Sequence, residues 1–253
     1  MRTLEAAARR LKPRAGRPLS PVAEGRARSA AARPPEGFAE RHCTPGDWRC
    51  GRLPRLFLFG DRVRLPDPCA AAARLPPDAA VVARGLADAV LARLAALARR
   101  RRLVLLVGGD GRAALRVAGR HPGLAAGLHL ADRASPPNSG TGGASRGTSG
   151  LLAFLLARRA RRHGAAPLLL TAAAHGREGL ARARRLRADV VILSPVFPTA
   201  SHPGAPALGL WRWAALARRA GRPVVALGGI VASNAGRLPR GIAGLAGIGG
   251  FGG

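Results

Sequence analysis

Eight short apolar runs, each separated from the next by a stretch with helical spacing, narrow the folds open to this sequence more than any other feature. The runs are RLFLFGD (55–61), AAVVARG (79–85), RLVLLVGGD (102–110), GLHLAD (127–132), PLLLTAAAH (167–175), VVILSPVF (190–197), PVVALGGI (223–230) and GLAGIGGF (244–251). Near-continuous apolar runs without alternation suit strands buried on both faces, as parallel strands are. The stretches between them, such as ADAVLARLAALARRR, are built of strong helix formers with apolar residues at helical spacing. Strand then helix, repeated, implies parallel pairing through right-handed crossovers, and eight such units close a barrel. An open doubly wound sheet is the rival, but no G-x-G-x-x-G follows the first run. The expected fold class is therefore α/β, a (β/α)8 TIM barrel over residues 51–253.

Two segments fall outside this rhythm. Residues 1–50 are rich in Arg, Ala and Pro with few large apolar side chains, and are expected to be an irregular, disordered extension. Residues 134–150, ASPPNSGTGGASRGTSG, read as a Gly/Ser/Pro-rich loop after the fourth strand. The net charge of +29 comes from arginine, with one lysine, Lys12, against 13 acidic residues. Clustered arginine suits a polyanion, yet Tyr is absent and Phe and Trp are sparse, so stacking platforms for nucleic acid are lacking. Much of the arginine lies at helical spacing beside Ala and Leu, which points to solvated outer faces and no specific nucleic-acid partner. Cys43, Cys50 and Cys69 form no C-x-x-C pair, so neither a disulfide framework nor a zinc site is indicated. No run reaches the roughly 18 apolar residues of a membrane span, and no signal-peptide core follows the start, so a cytoplasmic protein without membrane association is expected.

In such a barrel the functional groups sit where strands end at the C-terminal face. Asp61, Arg84, Asp110 and Asp132 end or follow the first four runs, His175 ends the fifth, and Thr199, Ser201 and His202 follow the sixth. Gly228 and Gly229 end the seventh run, and Gly249 and Gly250 lie at the end of the eighth. Glycine pairs after strands seven and eight suit a phosphate, because backbone without Cβ approaches closely and offers free N–H groups; turn glycines are the plainer alternative. The Thr199 and Ser201 hydroxyls and His202 could donate to a second anion, or be incidental to a Pro-rich turn.

These residues resemble the thiamine-phosphate synthase and TenI family. The similarity is strongest where TAAAH, ADVVILSPVFPTASHPGAPALGL, RPVVALGGIVASNAGRL and GIAGLAGIGGF follow one another in family order, and weaker over 55–133. The resemblance implies a (β/α)8 barrel. It also implies a transferase of thiamine biosynthesis that joins hydroxymethylpyrimidine diphosphate to thiazole phosphate with Mg2+, releasing pyrophosphate. Carried over, Thr199 and Ser201, with His202 beside them, match the pyrophosphate-binding groups, and Gly229, Gly249 and Gly250 match the phosphate-binding backbone. Arg84 matches the arginine of a Gln-x-Arg-Glu-Lys motif. His175 matches the strand-end histidine that in TenI-type thiazole tautomerases is the proposed base, and these two are the catalytic candidates.

The family pattern is broken at several points. Val82 and Leu86 replace the glutamine and lysine of the second-strand motif, and His202 replaces a lysine. Gly108, Gly109 and Asp110 stand for Asn-Asp-Asp, Ala134 for a magnesium aspartate and Ala173 for a serine. Asp110 and Asp132 are the carboxylates left to take up Mg2+, which needs only one or two beside substrate phosphates. Two further activities remain open: a TenI-like tautomerase using His175 without metal, and a phosphate-binding barrel without turnover. The sequence leaves self-association into a homo-oligomer open.

Overall fold

A computed structural model describes residues 53–132, 146–161, 166, 168–199 and 206–248. Eight parallel strands close into a barrel in chain order: β1 (Leu56–Asp61), β2 (Ala80–Arg84), β3 (Val104–Gly108), β4 (Ala126–Leu130), β5 (Leu168–Ala174), β6 (Val190–Leu193), β7 (Val224–Leu227) and β8 (Gly244–Gly247). Closure runs through β1 and β8, where Leu56 pairs with Leu245 and Leu58 with Gly247. The outer helices are α1 (Cys69–Ala72), α2 (Asp88–Arg101), α3 (Gly111–Arg120), α4 (Arg146–Ala160), α5 (Arg177–Arg185) and α6 (Gly209–Arg218), with a 3-10 turn at Ala235–Arg237 before β8. The (β/α)8 expectation therefore holds.

Period-two alternation along the strands sorts the apolar residues into two cores. Phe57, Phe59, Val82, Leu106, Leu169 and Ile192 fill the barrel interior, whereas Leu58, Val81, Leu105, Leu128, Leu170 and Val191 pack outward beneath the helices. Because both faces are covered, the strands are apolar along most of their length, with His129 of β4 and Thr171 of β5 as buried polar exceptions. The helices turn their arginines to solvent, as Arg99 and Arg100 of α2 and Arg184 and Arg185 of α5 do. No helix among the described residues is long and apolar enough to cross a membrane.

The loop expected over 134–150 is shorter than its composition suggests. Residues 146–150 are the first turn of α4, which packs on α3 where two glycines meet: a Cβ on Gly111 would lie only 2.1 Å from the Gly150 carbonyl oxygen. Side-chain-free contact lets the helices approach closely and buries Phe154 completely. Tertiary contact thus overrides the loop-like composition of SRGTSG. The N-terminal 1–50 segment and residues 134–145 lie outside the described residues.

Candidate active site

All strand ends of a closed parallel barrel face one rim, so β1 to β8 bring their terminal residues together without a dedicated scaffold. Asp61 ends β1, and its Oδ1 accepts from the backbone N–H groups of Val63 (3.0 Å) and Arg64 (2.8 Å). Its Oδ2 receives the guanidinium groups of Arg64 (2.7 Å) and Arg84 (3.1 Å). Burial alone would raise the Asp61 carboxyl, but the Arg64 and Val63 N–H groups and the two guanidinium charges outweigh it and hold it below the ordinary range.

Arg84, at the end of β2, lies across the barrel. Its guanidinium carbon is 5.1 Å from the centroid of the Phe59 ring, and a Cβ on Gly108 of β3 would stand 2.9 Å from its Cγ. Gly108, where the resembled family carries asparagine, is the space this arginine fills. Burial lowers the Arg84 pKa, opposed by Asp61, and its buried Nε has no hydrogen-bond partner among the described residues.

Beneath Arg84 sits a polar pair the sequence reading did not assign. His129 of β4 is 3 % exposed, meets the Phe59 ring edge-on at 5.2 Å, and shares a 2.9 Å hydrogen bond between Nδ1 and Thr171 Oγ1 on β5. Burial, with the Arg84 charge added, pushes its pKa down to about 3, so the ring is neutral. The signal was there in GLHLAD and LLLTAAA: a histidine and a threonine at inward positions of otherwise apolar strands.

His175 follows β5 at the rim. Its backbone N–H donates to Asp132 Oδ2 at 2.8 Å, and its Nδ1 lies 3.1 Å from the same oxygen. Asp132, two residues beyond β4, is buried to 7 % exposure, while the His175 side chain is 39 % exposed. Gly179 of α5 makes room for the carboxylate, since a Cβ there would fall 2.7 Å from Oδ2. Among the described residues the His175 Nε2 makes no hydrogen bond.

Asp110 is the N-cap of α3, its Oδ1 accepting from the N–H groups of Arg112 (2.9 Å) and Ala113 (3.0 Å), with Arg116 4.0 Å from Oδ2. Asp110 is engaged as a cap, Asp132 is engaged by His175, and no group of three or more His, Cys, Asp or Glu among the described residues is placed to hold a metal ion. These carboxylates do not by themselves form a protein cage for a metal, and Mg2+ here would depend on substrate phosphates for its remaining ligands.

After β6 the chain does not leave the barrel. The Val196 N–H donates to Leu227 O (3.0 Å) and the Phe197 N–H to Gly228 O (3.1 Å), so 196–197 continue alongside β7 towards Thr199. Gly228 (φ 101°) and Gly229 (φ 63°) are held against this segment. A Cβ on Gly228 would stand 2.7 Å from Pro195 Cβ, and one on Gly229 would stand 2.2 Å from Pro198 O. The pair is required by this packing and by positive φ, whatever it also binds. Ser201, His202, Gly249 and Gly250 lie outside the described residues.

Residues 155–251, from within α4 to past β8, match the family model described as thiamine monophosphate synthase. Over that span the chain is similar to the thiamine monophosphate synthase and TenI family. His175, Thr199 and Gly229 all fall within the family match, whereas Asp61, Arg84, His129 and Asp132 precede it. A thiamine phosphate pyrophosphorylase from Pyrococcus furiosus is 22% identical with a TM-score of 0.54, covering 77% of this chain and 85% of that one, a likeness of fold. A 2-keto-3-deoxy-6-phosphogluconate aldolase of Zymomonas mobilis is 16% identical with a TM-score of 0.47, covering 81% of this chain and 86% of that one. No curated protein sequence matches significantly.

Proposed function

We propose that the chain is an enzyme of thiamine biosynthesis that binds a thiazole phosphate at the barrel mouth and moves a proton on it through His175, as a TenI-type tautomerase does. The observation that carries this reading is the Asp132–His175 pair, a half-exposed imidazole whose inner nitrogen is engaged and whose outer nitrogen is open. A general base needs that division, one ring nitrogen held and the other presented to substrate. The proton removed from one atom of the substrate is returned to another, so the isomerisation consumes no co-reactant. The backbone N–H groups around Gly229, with those of Gly249 and Gly250, would receive the phosphate. Such a role would suit a cytoplasmic protein acting on small phosphorylated substrates.

The test is conversion of a thiazole phosphate tautomer to its aromatic form, followed by proton NMR. We expect turnover that survives EDTA and falls at least about 100-fold in His175→Gln. Turnover unchanged by that substitution, or absent from the intact chain, would sink the reading.

A second reading is supported by the family description and by the position of Arg84, whose guanidinium at the end of β2 would suit a substrate anion. It is synthase chemistry, joining hydroxymethylpyrimidine diphosphate to thiazole phosphate, with Thr199, Ser201 and His202 holding the departing pyrophosphate. Formation of thiamine phosphate in the presence of Mg2+, lost on chelation and in Thr199→Ala, would establish it. A chain that binds thiazole phosphate but yields neither product would be a binding barrel.

A further inference from the structure

We propose that Asp132 is the positioning residue for His175, fixing which ring nitrogen carries the proton and which faces the substrate. The inference rests on the reading of His175 as the proton-transfer base and assigns Asp132 a task other than metal ligation. One oxygen of the carboxylate does two jobs: Oδ2 takes the His175 backbone N–H at 2.8 Å and the ring Nδ1 at 3.1 Å. Main chain and ring of one residue are therefore tied to one atom, which fixes the side-chain torsion as well as the proton. A carboxylate oxygen only accepts, so a neutral His175 carries its hydrogen on Nδ1 and leaves the Nε2 lone pair open.

The carboxylate is itself braced. Asp132 is buried, and the chain of α5 passes so close at Gly179 that a Cβ there would press on Oδ2 at 2.7 Å. The arrangement spans three parts of the fold: the end of β4 supplies the acid, the end of β5 the imidazole, and the first turn of α5 the wall. Asp132 and His175 are 43 residues apart in sequence. Two of its contacts, one to main chain and one to the ring, go to His175. A buried acid bonded to the inner nitrogen of a rim histidine orients that ring and balances the charge it gains on taking a proton.

The experiment compares the intact chain with Asp132→Asn, using thiazole phosphate turnover and long-range 15N–1H NMR of the His175 ring. A wild-type ring protonated on Nδ1, with Asp132→Asn mixing the tautomers and lowering kcat at least about tenfold while KM stays within about twofold, is the expected result. A wild-type proton on Nε2, or a variant with unchanged kcat and an unchanged ring spectrum, would overturn the proposal. Should the variant not fold, the wild-type spectrum alone decides. If the intact chain shows no turnover yet Asp132→Asn shifts the tautomer, positioning by Asp132 stands and the tautomerase reading fails.

Discussion

At the scale of single residues, His129 contributes to how the protein responds to acid. Its pKa in the fold is about 3 against an ordinary 6.5, so between those values the unfolded chain binds a proton that the folded chain refuses. Stability then rises with pH in that window, falling by up to about 1.4 kcal/mol per pH unit below 6.5 and staying flat above it. Urea unfolding at pH 7 and pH 5 should show the wild type losing about 2 kcal/mol more than His129→Gln between the two conditions. Equal losses would mean that His129 is not buried as a neutral ring. Gly179 provides a second check. Gly179→Ala pushes a methyl into Asp132 Oδ2 and the Ala174 backbone, and should destabilise the fold by about 1–3 kcal/mol, seen as a lower urea midpoint. The same substitution should lower kcat, because the carboxylate that holds His175 must move.

At the scale of elements, two side chains pin helices to strand ends. Trp213 of α6 is fully buried, and its Nε1–H donates to Leu193 O at the end of β6 at 2.9 Å. Trp213→Phe removes the donor and part of the ring, and a loss of about 2–4 kcal/mol in thermal or urea unfolding is expected. Asp189 works at the opposite end of β6: Arg158 of α4 pairs with its Oδ1, and its Oδ2 accepts the Leu170 N–H of β5 at 2.8 Å. Asp189→Ala leaves that N–H unpaired at the start of a central strand and should cost about 1–3 kcal/mol by the same assay. Neither role could be read beforehand. The eight strands were legible because parallel strands covered on both sides must be apolar throughout, a requirement visible in each run by itself. Their ends were less so: VVILSPVF reads as one run, but the ladder stops at Leu193 and the remainder leans on β7 through main-chain bonds that carry no side-chain signature.

At the scale of the whole molecule, topology alone gathers Asp61, Arg84, Asp132, His175, Thr199 and Gly229 onto one rim, and that much followed from counting strands. Which of them touch did not, because contact depends on register and on the space left by residues with no side chain of their own. Asp132 read as a spare carboxylate, and only the closure of β4 on β5 makes it the partner of His175. Likewise Gly108 looked like a lost asparagine, and only the pairing of β2 with β3 lets the Arg84 stem fill its place. That last feature also sets what lines the barrel below its strand ends. With Arg84 laid over Phe59, tethered to Asp61 and backed by the His129–Thr171 bond, the barrel carries a charged floor close beneath its rim. A ligand reaching that floor would meet a guanidinium before it met the apolar interior.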